Sequence, residues 1–297
     1  MMTALGDSKT PLYFLIFSSI LNAILDVVFV CGFEMGVFGA AVATVIGEII
    51  AGVGCLIYAI RYNPYFKISR RHLKPEKLMI WKAVRLGIPL AMQNCLIAVS
   101  CAAVQRVVNS FGAIAVAAFT ATGRVEQLLH QPYGSWSAAL STYSGQNLGA
   151  GKPDRLQSGY RKSLLIMSVF SVIMFLVMQV AGEAIVKLFV DDPEVIALGG
   201  TAMRITSLFY IPLGFINVTR GMLNGVGDAL FSFINGIVEM FCRILLPVML
   251  LMIPGMGVWS VWWATGFTWL ISAVFCMLRY FSWKKKKSKR LFNGDFI

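Results

Sequence analysis

Asn22 and Asp26 stand four residues apart in the stretch SSILNAILDVVFV, residues 18–30. That spacing places an amide and a carboxylate on one face of a helix. The surrounding residues are apolar, and a carboxylate within hydrocarbon is expensive and marks a functional site by default. Two chemistries suit it: oxygen ligation of Na⁺, or reversible protonation that carries H⁺. Thr44, in the next apolar stretch, adds a hydroxyl. Asn22, Asp26 and Thr44 are therefore the candidate cation-coupling residues. The competing reading is that Asp26 only hydrogen-bonds neighbouring helices.

A second set lies further along. Glu126, His130 and Tyr133 follow one another at i, i+4 and i+7, a single helical stripe, with Arg124 and Gln127 on a neighbouring face. Histidine responds to protons near neutrality, and an adjacent Glu can share one. These residues suit substrate recognition or a proton relay, or else an internal ion pair between Arg124 and Glu126. Glu239 and Arg243 are four apart and are expected to pair along their helix. Gln93 and Asn94 are further candidates for a cavity wall. Asn94, Cys101 and Gln105 could line it at helical spacing, or tie helices together by hydrogen bonds. Arg220 is expected to snorkel to the interface, and Arg204 needs a partner.

The elements that position these groups follow from composition. The chain has 297 residues, 58% hydrophobic and 13% charged, with a mean hydropathy of +0.73. Soluble domains carry about a quarter charged residues, so the expected class is an all-α integral membrane protein. A spanning helix needs about 20 apolar residues. Eight segments meet this: 11–32, 37–60, 81–108, 114–146, 159–190, 195–222, 229–252 and 258–281. The loops at 61–77 and 149–155 and the tail KKKKSKR are basic, while the alternate loops are short or acidic. The positive-inside rule puts the basic set in the cytoplasm. Eight crossings with both termini cytoplasmic satisfy every loop. The formal charge of +12 is thus a topology signal that touches lipid headgroups, and no nucleic-acid partner is expected. Pro89, Pro132, Pro212 and Pro247 sit within spans, where proline favours kinks.

Two segments repeat. Gly6-Asp7 matches Gly227-Asp228, and MGVFGAAVAT at 35–44 matches MGVWSVWWAT at 256–265, both at an offset of 221 residues (228 − 7 and 257 − 36). Residues 1–60 and 222–281 therefore read as copies of one helix pair. Secondary transporters are built from such repeats, with the substrate path between halves. The second copy closes a group of six spans, but the first has nothing ahead of it. Equal halves would place four further helices, about 140 residues, before Met1. The expected organisation is a two-span remnant of an N-lobe (1–60), a cytoplasmic linker (61–80), a six-span C-lobe (81–283) and a basic tail (284–297). The offset maps Asn22 to Arg243, Asp26 to Pro247 and Thr44 to Thr265, so the two copies differ chemically.

The motifs ALGDSKTP, NAILDVVFV, GVFGAAVAT, RLGIPLAMQN, VNSFG, RGMLNGVGD and GRVEQLLHQPYGSWSAALSTYSGQNLGAGK, in this order, resemble the multidrug and toxic compound extrusion (MATE) transporters across nearly the whole chain. The resemblance implies a partial MATE fold: the last two helices of one lobe and a complete six-helix second lobe. It implies an antiporter of the plasma membrane that exports cationic or amphipathic drugs against H⁺ or Na⁺ by rocking-bundle alternating access. Asn22, Asp26 and Thr44 match the family's N-lobe cation site. The third span carries Gln93, Asn94 and Gln105 but no acid, which departs from relatives with a glutamate there.

No cofactor is expected beyond the coupling ion. Neither H-E-x-x-H, G-x-S-x-G nor a phosphate loop occurs, so an enzyme is not expected. The expected partners are the bilayer and small organic, cationic substrates, and the expected state is a monomer. Two other readings stay open: a lipid or polysaccharide flippase of related fold, which Arg106, Arg124, Arg204 and Arg243 leave open, and a non-functional truncated product.

Overall fold

The computed structural model describes residues 2–62 and 76–292, and every regular element among them is helical. The chain divides into two compact units, Met1–Ile80 and Trp81–Ile297. The first holds α1 (Lys9–Asp26), which passes directly into a π-helical segment (Val27–Gly32), and α2 (Gly36–Tyr62). The second is built from α3 (Lys77–Asn109), α4 (Ala113–Gly149), α5 (Pro153–Val186), α6 (Pro193–Ser207), α7 (Tyr210–Gly225), α8 (Ala229–Leu251) and α9 (Ser260–Phe292). The core of the expected linker, 63–75, and the last tail residues, 293–297, lie outside the described residues. The start of the expected tail is helical: α9 continues past 283 to Phe292.

Six helices are long and apolar enough to cross a membrane: α1 with its π segment, α2, α3, α5, α8 and α9. A seventh candidate is the bent pair α6–α7, which turns by 55° at its break. The sixth predicted span, 195–222, is thus two helices. Pro212 stands one turn after the break and has no N–H to return to Leu208; the break itself is tightened by Leu208 and Phe209 donating three residues back. Pro89, Pro132 and Pro247 lie inside continuous helices, so only one of the four prolines stands at a break. The fourth predicted span, α4, is 37 residues long but is not apolar enough to qualify, because Arg124, Glu126, Gln127 and His130 sit in its middle.

The second unit has a dense core. Tyr133, Tyr160, Tyr210, Leu156, Met203, Ile216, Met222 and Leu223 are wholly buried. α4 and α7 approach so closely that a Cβ at Gly221 would come within 2.5 Å of the Ser137 carbonyl oxygen; the small-xxx-small spacing of Gly221 and Gly225 permits this backbone contact. Two tyrosine hydroxyls cross-link helices inside that core: Tyr133 with Ser171 at 2.9 Å and Tyr160 with Thr219 at 3.0 Å. Half of the α9 span is buried, against 6% for α1 and 11% for α2. α9 is thus a central helix of the second unit.

The two segments 221 residues apart have the same turn. Gly6 and Gly227 both adopt positive φ (91° and 87°), as do Gly36 and Gly257 (56° and 45°). Gly6 donates to Thr3 O at 3.1 Å, and Gly227 to Asn224 O at 3.1 Å. Asp7 donates through its backbone to Met2 O at 3.1 Å, and Asp228 to Leu223 O at 2.9 Å.

Candidate functional site

In the first unit the polar residues meet across the α1–α2 contact. Asn22 Nδ2 donates to Thr44 Oγ1 at 3.3 Å, and Thr44 Oγ1 donates to Ala40 O at 3.0 Å. The hydroxyl spends its one proton on its own helix, which leaves its lone pairs for the amide. Gly47 lies beneath: a Cβ there would sit 3.4 Å from Asn22 Cβ and from Ser18 Oγ. One turn beyond Asn22, Asp26 closes α1 at the point where the helix changes to π, a change of pitch common at functional sites. Asp26 Oδ1 is inaccessible and has no hydrogen-bond partner. Glu48, one turn from Thr44, is exposed.

In the second unit α4 brings together part of its predicted stripe. Tyr133 is buried and tied to Ser171, which also donates to Tyr210 O at 3.0 Å. His130 packs on Trp269 of α9, ring centroids 5.7 Å apart. Glu126 faces Thr206 of α6 and lies within electrostatic reach of Arg243 on α8. His130 senses both Arg243 and Glu239. Glu126, His130, Glu239 and Arg243 are thus gathered from two helices into one region. Arg124 and Gln127 are not part of it. Both are exposed, and Arg124 forms no ion pair with Glu126 among the described residues. The reason is angular: positions 124 and 127 lie on a different side of α4 from the 126–130–133 stripe.

Glu239 does not pair with Arg243. Its carboxylate Oε1 is 2.8 Å from Arg220 Nη2, with both side chains largely buried. Ser272 of α9 donates to the same oxygen at 3.0 Å. With its amide oxygen facing the guanidinium, Asn235 accepts from Arg220 Nε at 2.9 Å. Arg220 therefore reaches inward to an acid rather than snorkelling, because a buried guanidinium is held only where an acid and other acceptors meet its N–H groups. Asn235 and Ser272 carry no distinctive motif in the sequence, although Asn235 and Glu239 stand four apart on α8 and so share its face.

The α3 candidates separate. Gln93 is buried and packs where a Cβ on Gly236 would lie 2.9 Å from its Cγ, whereas Asn94 is exposed. Gln105 donates to Asn109 at 2.9 Å on its own helix. Cys101 instead lies 4.0 Å from Arg243 Nη1. Asn94, Cys101 and Gln105 thus have three separate environments. Arg204 does find a partner, Glu183 of α5 at 3.2 Å.

Helices of this length and apolarity, with charged groups gathered on their inner faces, define a multi-pass membrane protein. The MatE family model matches residues 89–249, more than half of the sequence, and the chain belongs to that family. It is 30% identical over 289 residues to the probable multidrug resistance protein YpnP of Bacillus subtilis, covering 96% of this chain and 64% of that protein. It is 29% identical over 302 residues to the probable multidrug resistance protein YoeA of the same organism, with coverage of 96% and 64%. Its fold matches a mutant form of the Vibrio cholerae MATE transporter VcmN with a TM-score of 0.85 at 21% identity, covering 96% of this chain and 64% of that one. The chain thus spans a little under two thirds of the length of the relatives it matches.

Proposed function

We propose that the protein acts as a secondary active antiporter, exporting cationic or amphipathic small molecules across the plasma membrane in exchange for H⁺ or Na⁺. The observation that carries this reading is the Asp26 carboxylate oxygen, cut off from solvent without a donor, one turn from the Asn22–Thr44 hydrogen bond. The membership in a family whose relatives are named multidrug resistance proteins supports the substrate class. In the proposed arrangement the chain makes eight crossings with both ends cytoplasmic. α4 is the least apolar crossing and α6–α7 a broken one. The chain corresponds to part of a larger two-lobed architecture, with α1–α2 in one lobe and α3–α9 in the other, alternating between inward- and outward-facing states as a monomer.

Asp26 holds the coupling ion, with Asn22 and Thr44 fixing the helix pair around it. Proton or Na⁺ uptake neutralises the carboxylate and releases a bound cationic substrate. Glu126 and His130 provide a second group of proton acceptors, flanked by Glu239 and Arg243. Expression in a pump-deficient host tests the reading: ethidium accumulation is expected to fall with the native protein and to return to the empty-host level with Asp26→Asn. Vesicles with an imposed pH gradient and no sodium then assign H⁺ if efflux persists, and Na⁺ if it stops until sodium is supplied. Ethidium accumulation unchanged by the native protein would reject the proposal.

A further inference from the structure

The outward face of α9 in the second unit is grooved on both sides of one ridge. Between α8 and α9 runs a groove of about 480 Å³, lined by Leu230, Phe231, Ile234, Phe275 and Leu278. Between α7 and α9 runs another of about 330 Å³, and every residue lining it is apolar, among them Pro212, Phe215, Val274, Leu278 and Phe281. Leu278 belongs to both grooves and is 59% exposed, so it forms the ridge between them. From Arg279 back to Leu270, the α9 residue of the second groove furthest from it, is nine residues (279 − 270), about 14 Å of helix. One leaflet of a bilayer's hydrocarbon is about 15 Å deep. The grooves therefore run about one leaflet deep from the level of Arg279.

The rim at that level is charged. Arg279, Ser282 and Lys285 follow one another at i, i+3 and i+6 on one face of α9, and the apolar span ends at Lys285. Arg279 and Ser282 line the α8–α9 groove together with Asp228. Asp228 Oδ2 occupies one edge of the guanidinium, through Nε at 2.9 Å and Nη2 at 2.7 Å, and the Phe231 ring centre lies 5.8 Å from the guanidinium carbon. Nη1 has no acceptor among the described residues, and the Arg279 side chain is 37% exposed. A guanidinium held on one edge by a carboxylate keeps its other edge as a two-donor fork suited to phosphate. With Asp228 counted, Arg279 and Lys285 leave the rim with one net positive charge (+2 − 1). Basic pockets between spanning helices at the membrane interface take acidic lipid headgroups. We propose that this face of α9 binds one anionic phospholipid of the bilayer, its phosphate on Arg279 and Ser282 beside Lys285 and its two acyl chains in the grooves on either side of Leu278. The lipid is a resident ligand, not the transported molecule. Ile211 and Pro212 line the second groove, so the chain lying there packs against the segment just after the α6–α7 break.

The test uses the full chain purified in detergent and titrated with phosphatidylglycerol, phosphatidylethanolamine and phosphatidylcholine of identical acyl chains, with retained lipids counted by native mass spectrometry. One phosphatidylglycerol per chain is expected, held about fivefold or more tightly than either zwitterionic lipid, the value of one net charge at the interface. The double change Arg279→Gln with Asp228→Asn removes the fork without stranding either charge, and should weaken phosphatidylglycerol binding by about tenfold or more. Lys285→Gln should weaken it about fivefold. Ile234→Trp and Val274→Trp fill the two grooves from exposed positions and should weaken binding of all three lipids. Because both side chains face outward, thermal unfolding of these variants should stay at the native temperature, which separates lost binding from lost folding. Equal retention of the three lipids, tighter retention of a zwitterionic one, or phosphatidylglycerol binding indifferent to the double change and to both tryptophans overturns the inference. So does a loss produced by Lys285→Gln alone, which would place the lipid on the basic tail rather than in the grooves.

Discussion

Thr44 and Thr265 occupy the same place in two hairpins 221 residues apart, and each donates its hydroxyl to the carbonyl four residues back at 3.0 Å. What stands opposite them differs. Thr44 receives Asn22, whereas the position equivalent to Asn22 in the second hairpin is Arg243, which turns towards Cys101 of α3. Asp26, at the close of α1, corresponds to Pro247 inside α8. Ser18, packed against Gly47, corresponds to Glu239, which pairs with Arg220. Even the matched aspartates serve different ends. Asp7 accepts from the Thr10 N–H at 3.1 Å, a bond that holds its carboxyl below the usual carboxylate range. Asp228 instead binds Arg279 on α9. One backbone plan thus carries an unmet acid in the first hairpin and a compensated acid beside an unmet base in the second. The lesson is that repetition fixes where polar groups stand, while their charge sets the task of each copy.

This contrast can be broken experimentally. The largest effect is expected from Asp26→Asn, which should return ethidium efflux to the level of the empty host; efflux at native rates would place the coupling elsewhere. Next, Glu239→Leu strands a buried Arg220 and should destabilise the protein by about 3–5 kcal/mol, whereas the double change Arg220→Met with Glu239→Leu should recover most of that loss. Thermal unfolding in detergent micelles measures both, and a double variant as unstable as the single one would show that the pair is needed for more than charge compensation. A smaller change is expected for Asn22→Ala, which removes one interhelical hydrogen bond between exposed helices and should cost roughly 0.6 kcal/mol, with about 1.7 as the upper limit. The smallest belongs to Thr265→Val. Its hydroxyl bonds only its own helix, so stability should move by less than about 0.5 kcal/mol; a larger shift would mean that Thr265 has acquired the cross-helix role of Thr44.

Much of the first site was legible because it is local. Asn22 and Asp26 share a face by the pitch of the helix alone, and Thr44 falls beside Asn22 because the hairpin turn is short. The long apolar segments were legible too, since length and hydropathy define them; the bend at Leu208–Phe209 was not, because Pro212 looks like Pro89, Pro132 and Pro247 in sequence and only one of the four lies by a break. The second site was half legible. The 126–130–133 stripe follows from periodicity, but the partner of Glu239 does not. Arg243, one turn away, was the nearest cation in sequence, and the acid chose Arg220, nineteen residues back on the preceding helix.

By itself, then, the sequence determined the helical class, the doubled hairpin with its matched glycines, and the face shared by Asn22 and Asp26. Each of these depends on spacing along one helix or across one turn, where geometry is set by the backbone. Only the tertiary structure decided which guanidinium meets Glu239, that Arg243 meets none, and that Arg124 and Gln127 stand apart from Glu126. Those outcomes depend on how α3, α4, α7, α8 and α9 are rotated against one another, which residues far apart in sequence decide together, as where Gly221 of α7 packs on Ser137 of α4.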